Sequence, residues 1–158
     1  MRLGICGPLE VEPFRAWLED PPEHLPRGLG GTPVVDLARA ALTAGWQVVL
    51  FSLDPEVQHE VILRGPQLKI CMGPFRPRRR ARDLFHAERA YLSQTVRTER
   101  PDIVHAHWTY EFALGAIESG VPAVVTAHDA PWSILRWNPT PYRLVRTIMA
   151  WQVARRAR

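Results

Sequence analysis

The sequence predicts a doubly wound, Rossmann-like α/β fold, a parallel sheet with helices on both faces in three α/β/α layers. Two observations carry this prediction. Short runs of apolar and β-branched residues at Leu3–Cys6, Trp46–Ser52, Pro101–His107 and Val121–His128 alternate with stretches of helical period. The 15 prolines and 10 glycines fall mostly between those runs, as punctuation. At 158 residues, 46% hydrophobic and 23% charged, the chain suits one domain with a real core and excludes wholesale disorder. No apolar run approaches the ~20 residues that a bilayer span needs.

The elements follow in order. Leu3–Cys6 reads as a buried strand. A proline-broken segment from Gly7 to about Gly31 follows, with one helical turn near Pro13–Leu18, and its length suggests a lid or mobile loop. Thr32-Pro33 opens a helix, Thr as cap and Pro at a position that needs no amide hydrogen. Val34, Leu37, Ala38, Ala41 and Leu42 form its inner face, and Gly45 closes it before the strand at Trp46–Ser52. Strand, helix and strand in this order imply a right-handed parallel unit. Val61–Leu63 and Leu68–Cys71 read as two short strands. A helix with Leu84, Phe85, Tyr91, Leu92 and Val96 inward follows the basic run Arg76–Arg82 and continues to about Thr98. The strand at Pro101–His107, a helix at Glu111–Ser119 and the strand at Val121–His128 come next, then a Pro131-Trp132 turn. Thr140-Pro141 starts a last helix with Leu144, Val145, Ile148 and Met149 inward.

The net charge of +4 comes almost wholly from arginine, Lys69 being the single lysine. Cys6 and Cys71 make neither a disulfide framework nor a metal-ligand spacing, so a reducing cytoplasm is the expected compartment. Arg76, Arg78, Arg79, Arg80 and Arg82 form a basic run suited to an anionic membrane surface, or else a solvated helix start. No stacking aromatics or nucleic-acid module accompany it, so nucleic acid is not expected as a partner.

In a sheet of this class ligands bind at the carboxyl ends of the strands. Three polar clusters are expected there. Gly28-Leu-Gly-Gly-Thr-Pro33 allows positive φ at Gly30 and Gly31 and points a helix amino terminus outward, so the amides of Gly31, Thr32 and Val34 suit an anion such as a diphosphate. A plain turn into a helix is the alternative. His105-Ala-His-Trp108 places two imidazoles on one face of a strand. Thr126-Ala-His-Asp129 ends a strand with His128, able to donate or accept a proton near neutrality, and Asp129 to orient it or to bind a hydroxyl. For His105, His107, His128 and Asp129 three readings stand: side chains that merely satisfy local hydrogen bonds, substrate contacts, or a metal-ligand set.

Three segments together, Gly30–Val48, Arg100–His107 and Val124–Asp129, resemble the amino-terminal domain of family 4 glycosyltransferases, which have the GT-B fold. The resemblance runs from the first strand almost to Arg158, with Pro8–Leu29 fitting poorly. It implies that residues 1–158 are the acceptor-side, Rossmann-like half of a retaining enzyme, apparently truncated, with the donor-binding carboxyl-terminal domain absent. It implies sugar transfer from a nucleotide-sugar co-substrate to a hydroxyl acceptor, a glycan or lipid-linked, as in polysaccharide biosynthesis, with no cofactor and no essential metal. It places Gly30 and Gly31, with Thr32, beside the donor diphosphate. His128 then lies at the reacting centre, supported by Thr126 and Asp129. His105 and His107 match a recurring stretch of the family to which the resemblance gives no fixed role; with Trp108 they stand as candidate substrate contacts from their place at a strand end. It also implies peripheral contact of the arginine run with the inner face of a membrane. The chain alone is then expected to be inactive. The competing classes are a metal-dependent hydrolase built on His105, His107, His128 and Asp129, and a non-catalytic module that binds anionic surfaces.

Overall fold

A computed structural model describes residues 1–157. In chain order it contains β1 (Arg2–Cys6), a 3-10 turn at Glu12–Trp17, α1 (Thr32–Thr43), β2 (Gln47–Asp54), β3 (Val61–Arg64) and β4 (Leu68–Pro74). A second 3-10 turn at Arg80–Asp83 precedes α2 (His86–Glu99), β5 (Ile103–His107), α3 (Glu111–Glu118), β6 (Ala123–Thr126), α4 (Pro131–Trp137) and α5 (Pro141–Arg156). The strands form one sheet in the order β3-β4-β2-β1-β5-β6. All pairings are parallel except the β3–β4 hairpin at one edge. The order reverses at β1, between β2 and β5, and this switch point is where a doubly wound sheet opens a crevice for ligands. No helix among the described residues is long and apolar enough to cross a membrane.

Each sheet face has its own core. On one side α1 buries Val34, Val35, Ala38, Ala41 and Leu42 against Leu3, Ile5, Leu50 and Ile70. On the other, α2, α3 and α5 pack Leu92, Val96, Leu114, Met149 and Val153 against Cys6, Val49, Phe51 and Val104. β2, central and covered on both faces, is buried from Val48 to Asp54, as a strand in a parallel sheet must be.

Four local expectations are corrected. The segment after β1 is anchored: Leu9, Val11 and Phe14 are fully buried beneath α1 and β2, and Leu29 N–H donates to the Leu9 carbonyl. Its apolar residues, hidden among prolines, make it part of the core. Thr32 does not cap α1; Gly31 is the cap residue, and its carbonyl takes the Val34 and Val35 amides. The helix expected to run straight from the arginines is broken, because Leu84 and Phe85 both adopt left-handed backbone (φ 54° and 57°) between the 3-10 turn and α2. That break turns Phe85 fully into the core. In α5, Met149 is buried as expected, but Leu144 and Ile148 face outward. The helix docks on α3 through the Met149–Val153 stripe, and the neighbouring stripe forms, with Trp132 of α4 and Trp151, an open apolar groove of about 310 Å³. Thr140 does cap α5, its hydroxyl accepting the Arg143 amide at 3.2 Å.

The start of α1 is held by two glycines of unequal tightness. A Cβ on Gly31 (φ 111°) would lie 2.0 Å from the Pro8 carbonyl oxygen, whereas one on Gly30 (φ 77°) would meet nothing within 4 Å. Gly30→Ala should therefore cost about 1–2 kcal/mol, from the left-handed backbone alone. Gly31→Ala should cost clearly more, because a backbone carbonyl must move. Urea unfolding of the two variants checks this, and equal costs would overturn it.

Candidate functional site

The polar clusters converge at the carboxyl edge of β1, β5 and β6. His105 lies opposite Ile5 of β1 and Val124 of β6, and His107 opposite Thr126. Strand alternation puts both histidines on the α1 side, with rings stacked at 4.4 Å between centroids. Gly7 makes this approach possible, since a Cβ there would sit 3.1 Å from both His107 Cβ and Val34 Cγ2. The first turn of α1 thus lies beside His107. Over β6 the same face is uncovered among the described residues, leaving Val124 51% exposed.

β6 ends at Thr126, earlier than the sequence suggests, so His128 and Asp129 stand on the loop before α4. Pro131 starts that helix where only a turn is expected from the sequence. His128 reaches back over the strand end. Its Nε2 lies 2.8 Å from His107 Nδ1, its ring is 5.1 Å from that of His107, and the Trp108 indole lies 4.3 Å away on a tilted plane. Trp108 holds left-handed backbone, φ 61°, a conformation that costs a bulky residue energy and is retained mainly where a site demands it. His105 Nε2 lies 2.7 Å from Thr126 Oγ1. The structure therefore joins His105, His107, Trp108 and His128 in one cluster of imidazole and indole rings, with the Thr126 hydroxyl bonded to His105.

Asp129 does something other than orient His128. Both of its carboxylate oxygens accept from the Tyr110 hydroxyl, at 2.8 and 2.7 Å, and Arg146 of α5 lies 3.5 Å from Oδ2. The Arg146 guanidinium stacks on the Tyr110 ring at 3.7 Å. Burial, and next the bond to Asp129, pushes the Tyr110 hydroxyl above its ordinary range. Glu111, beside it, is raised mainly by burial. Sequence reasoning missed Tyr110, Glu111 and Arg146. Tyr110 and Glu111 come two and three residues after Trp108, just past a strand end, which was a usable signal. Arg146 lies in the last helix with nothing local to mark it.

The four side chains considered as metal ligands do not converge on a common point. Among the described residues no three His, Cys, Asp or Glu side chains are grouped to hold an ion. The imidazoles bond to Thr126 and to each other instead, and the Asp129 carboxylate is held by Tyr110.

In the glycine loop, the Val34 amide is spent inside the helix, which corrects its expected part in anion binding. The Gly31 and Thr32 amides remain at the helix start. Gly28 and Gly30 line an open groove of about 410 Å³ with Glu10, Arg27, Asp54 and Glu56. The buried Asp54 carboxylate holds the far wall, accepting from Gly28 N–H at 2.6 Å and Glu56 N–H at 2.7 Å.

The arginine run divides. Arg76 binds the buried Glu88 (3.0 and 2.6 Å) and Asp83 (2.7 and 3.0 Å), and the bonds to Glu88 and then Asp83 hold its guanidinium pKa above the ordinary range. Arg80 donates to the Arg76 carbonyl and lies over Phe75, Phe85 and Tyr142. Only Arg78, Arg79 and Arg82 are exposed. Two of the five expected surface residues are therefore only partly exposed, because Glu88 at 1% exposure needs a cation and Arg80 covers an aromatic cluster.

The chain superposes on the structure of trehalose-6-phosphate from E. coli bound with UDP-2-fluoro glucose, with a TM-score of 0.51 at 14% identity, over 92% of this chain and 37% of that one. An alpha,alpha-trehalose-phosphate synthase (UDP-forming) from Burkholderia vietnamiensis gives 0.49 at 18% identity, over 94% and 38%. The chain thus spans well under half the length of these neighbours, and the first likeness shows the fold, that of a GT-B glycosyltransferase half. The model of Glycosyltransferase Family 4 matches residues 30–158, and the chain belongs to that family. A search of curated proteins finds no match.

Two outcomes follow from the charges. Arg76→Ala, which strands the buried Glu88, should lower stability by about 3 kcal/mol or more. Arg78→Ala or Arg79→Ala should stay within about 0.5 kcal/mol, and denaturant midpoints would show whether this ordering holds. Burial first, then the neighbouring His105 and His128, lowers the His107 pKa from 6.5 to about 4. The folded state then binds fewer protons than the unfolded chain between these values, so stability falls as pH drops through that window, by at most roughly 3 kcal/mol. His105, lowered mainly by burial, acts in the same direction. Unfolding from pH 7.5 to 4.5 should show a shallower decline for His107→Asn than for the parent; identical declines would contradict it.

Proposed function

We propose that this chain is the amino-terminal, acceptor-side half of a retaining glycosyltransferase, moving a sugar from a nucleotide-sugar donor to a hydroxyl acceptor, a glycan or lipid-linked. The observation that carries the reading is the arrangement at the switch point. The glycine-flanked start of α1 and the His105–His107–His128 stack meet across Gly7, so a diphosphate at the one would set its sugar at the other. Membership of Glycosyltransferase Family 4 supports transferase chemistry on this edge.

In this reading the Gly31 and Thr32 amides, at the positive end of α1, take part of the diphosphate charge. His128 touches the sugar or acceptor at the reacting centre, and Asp129 with Tyr110 and Arg146 forms the adjoining polar wall. The acceptor hydroxyl forms its bond to the anomeric carbon as the bond to the diphosphate breaks, and the hydroxyl proton passes to the leaving diphosphate oxygen. Charge stabilisation on the leaving oxygen is shared with the donor-side domain, which the reading requires as a partner. A contact with an anionic membrane surface, on this reading, falls to Arg78, Arg79 and Arg82.

The test is His128→Ala in the transferase formed with the donor-side domain, assayed for sugar transfer with saturating donor. Turnover should fall by about 100-fold or more. Near-normal turnover would remove His128 from the centre, and absence of nucleotide-sugar turnover in the parent would overturn the reading itself.

A further inference from the structure

We propose that His107 is a positioning residue that fixes the tautomer of His128, so that His128 presents its Nδ1–H, a donor, to the cleft. The catalytic consequence rests on the glycosyl-transfer reading; the tautomer itself does not.

His107 is 3% exposed and, with its pKa lowered to about 4, neutral at pH 7. A neutral imidazole has one N–H and one bare nitrogen. Its Nδ1 faces His128 Nε2 at 2.8 Å, while its Nε2 is buried without a partner among the described residues. Two arrangements satisfy the short contact. In the first, His107 carries its proton on Nδ1 and donates it, leaving a bare lone pair on the buried Nε2. In the second, His128 donates from Nε2, and the buried His107 Nε2 must carry an N–H with nothing to receive it. A buried N–H without an acceptor is rarer in folded proteins than an acceptor without a donor, so the first arrangement is favoured.

The consequence passes to His128. With Nε2 committed as acceptor, a neutral His128 must carry its proton on Nδ1. That nitrogen has no hydrogen bond among the described residues, and His128 stands exposed on its loop. The neighbours hold this state in place. His105 stacks on the other side of His107 and spends its own Nε2 on Thr126, so it does not compete for the His107 nitrogens. Trp108 covers the His128 ring and restrains its rotation. His128 therefore acts in the cleft by donating a hydrogen bond to a hydroxyl, carbonyl or phosphate oxygen. Its outward nitrogen, already protonated, cannot take a proton from an attacking hydroxyl.

Imidazole nitrogen spectra of the chain labelled with ¹⁵N-histidine, recorded at neutral pH, test this on the unaltered protein. The expected result is protonation on Nδ1 in both His107 and His128, with a coupling across the bond between them. A His128 protonated on Nε2 would overturn the inference. Two variants separate the donor from mere packing. The Asn amide nitrogen falls near the place of His Nδ1, so His107→Asn should keep His128 on Nδ1–H, whereas His107→Leu should release it to Nε2–H; an unchanged tautomer in the Leu variant would refute the positioning role. In the transferase, His107→Leu should lower kcat about 10- to 100-fold with KM little changed, and His107→Asn should restore most of it; equal losses in both would refute it too. A parent without transfer activity would defeat the transferase reading alone, the spectra still deciding the tautomer.

Discussion

The site depends on a place where side chains have no room. At the carboxyl end of β1 the backbone passes between His107 and the first turn of α1, and a Cβ on Gly7 would crowd both at 3.1 Å. A little further on, the Pro8 carbonyl occupies the position that a side chain on Gly31 would need. These two glycines let a helix amino terminus, a strand end and an imidazole stack share one corner of the sheet. The intervening segment is tied down by Leu9, Val11 and Phe14, so the corner is set by core packing and does not rely on a loose connection.

Charge is distributed by the same logic. A run of five arginines appears in the sequence as one surface, yet two of them are drawn inward by unlike demands. Glu88, buried in α2, requires a guanidinium with several donors, and Arg76 supplies it. Arg80 lies flat over Phe75, Phe85 and Tyr142 and ties the 3-10 turn to α5. From that helix Arg146 reaches Tyr110 and Asp129. The last helix therefore connects the arginine turn to the wall of the site.

Local sequence signals predicted most of the architecture because parallel strands buried on both faces leave continuous apolar runs, and α1, bracketed by Thr32-Pro33 and Gly45, leaves a clear period. They failed where a conformation is imposed from outside. Nothing in Leu84-Phe85 announces two successive left-handed residues; the pull of Phe85 into the core creates them. Pro131–Trp137 is too short to show a period, so its helix read as a turn. In α5 two apolar stripes lie side by side, and only docking on α3 chose between them.

The sequence by itself determined which chemistry could gather at the carboxyl edge. His105 and His107 must share a face because strand side chains alternate, and His128 must lie near them because it follows the neighbouring strand. The tertiary structure decided what each group does there. It turned Asp129 to Tyr110 and to Arg146 of the last helix, and it brought two imidazole nitrogens to 2.8 Å while sealing a third from any partner among the described residues. Alternation along a strand is a local property that any reader of the chain can count. Protonation state and hydrogen-bond direction depend on burial and on partners remote in sequence, and they exist only once the chain has folded.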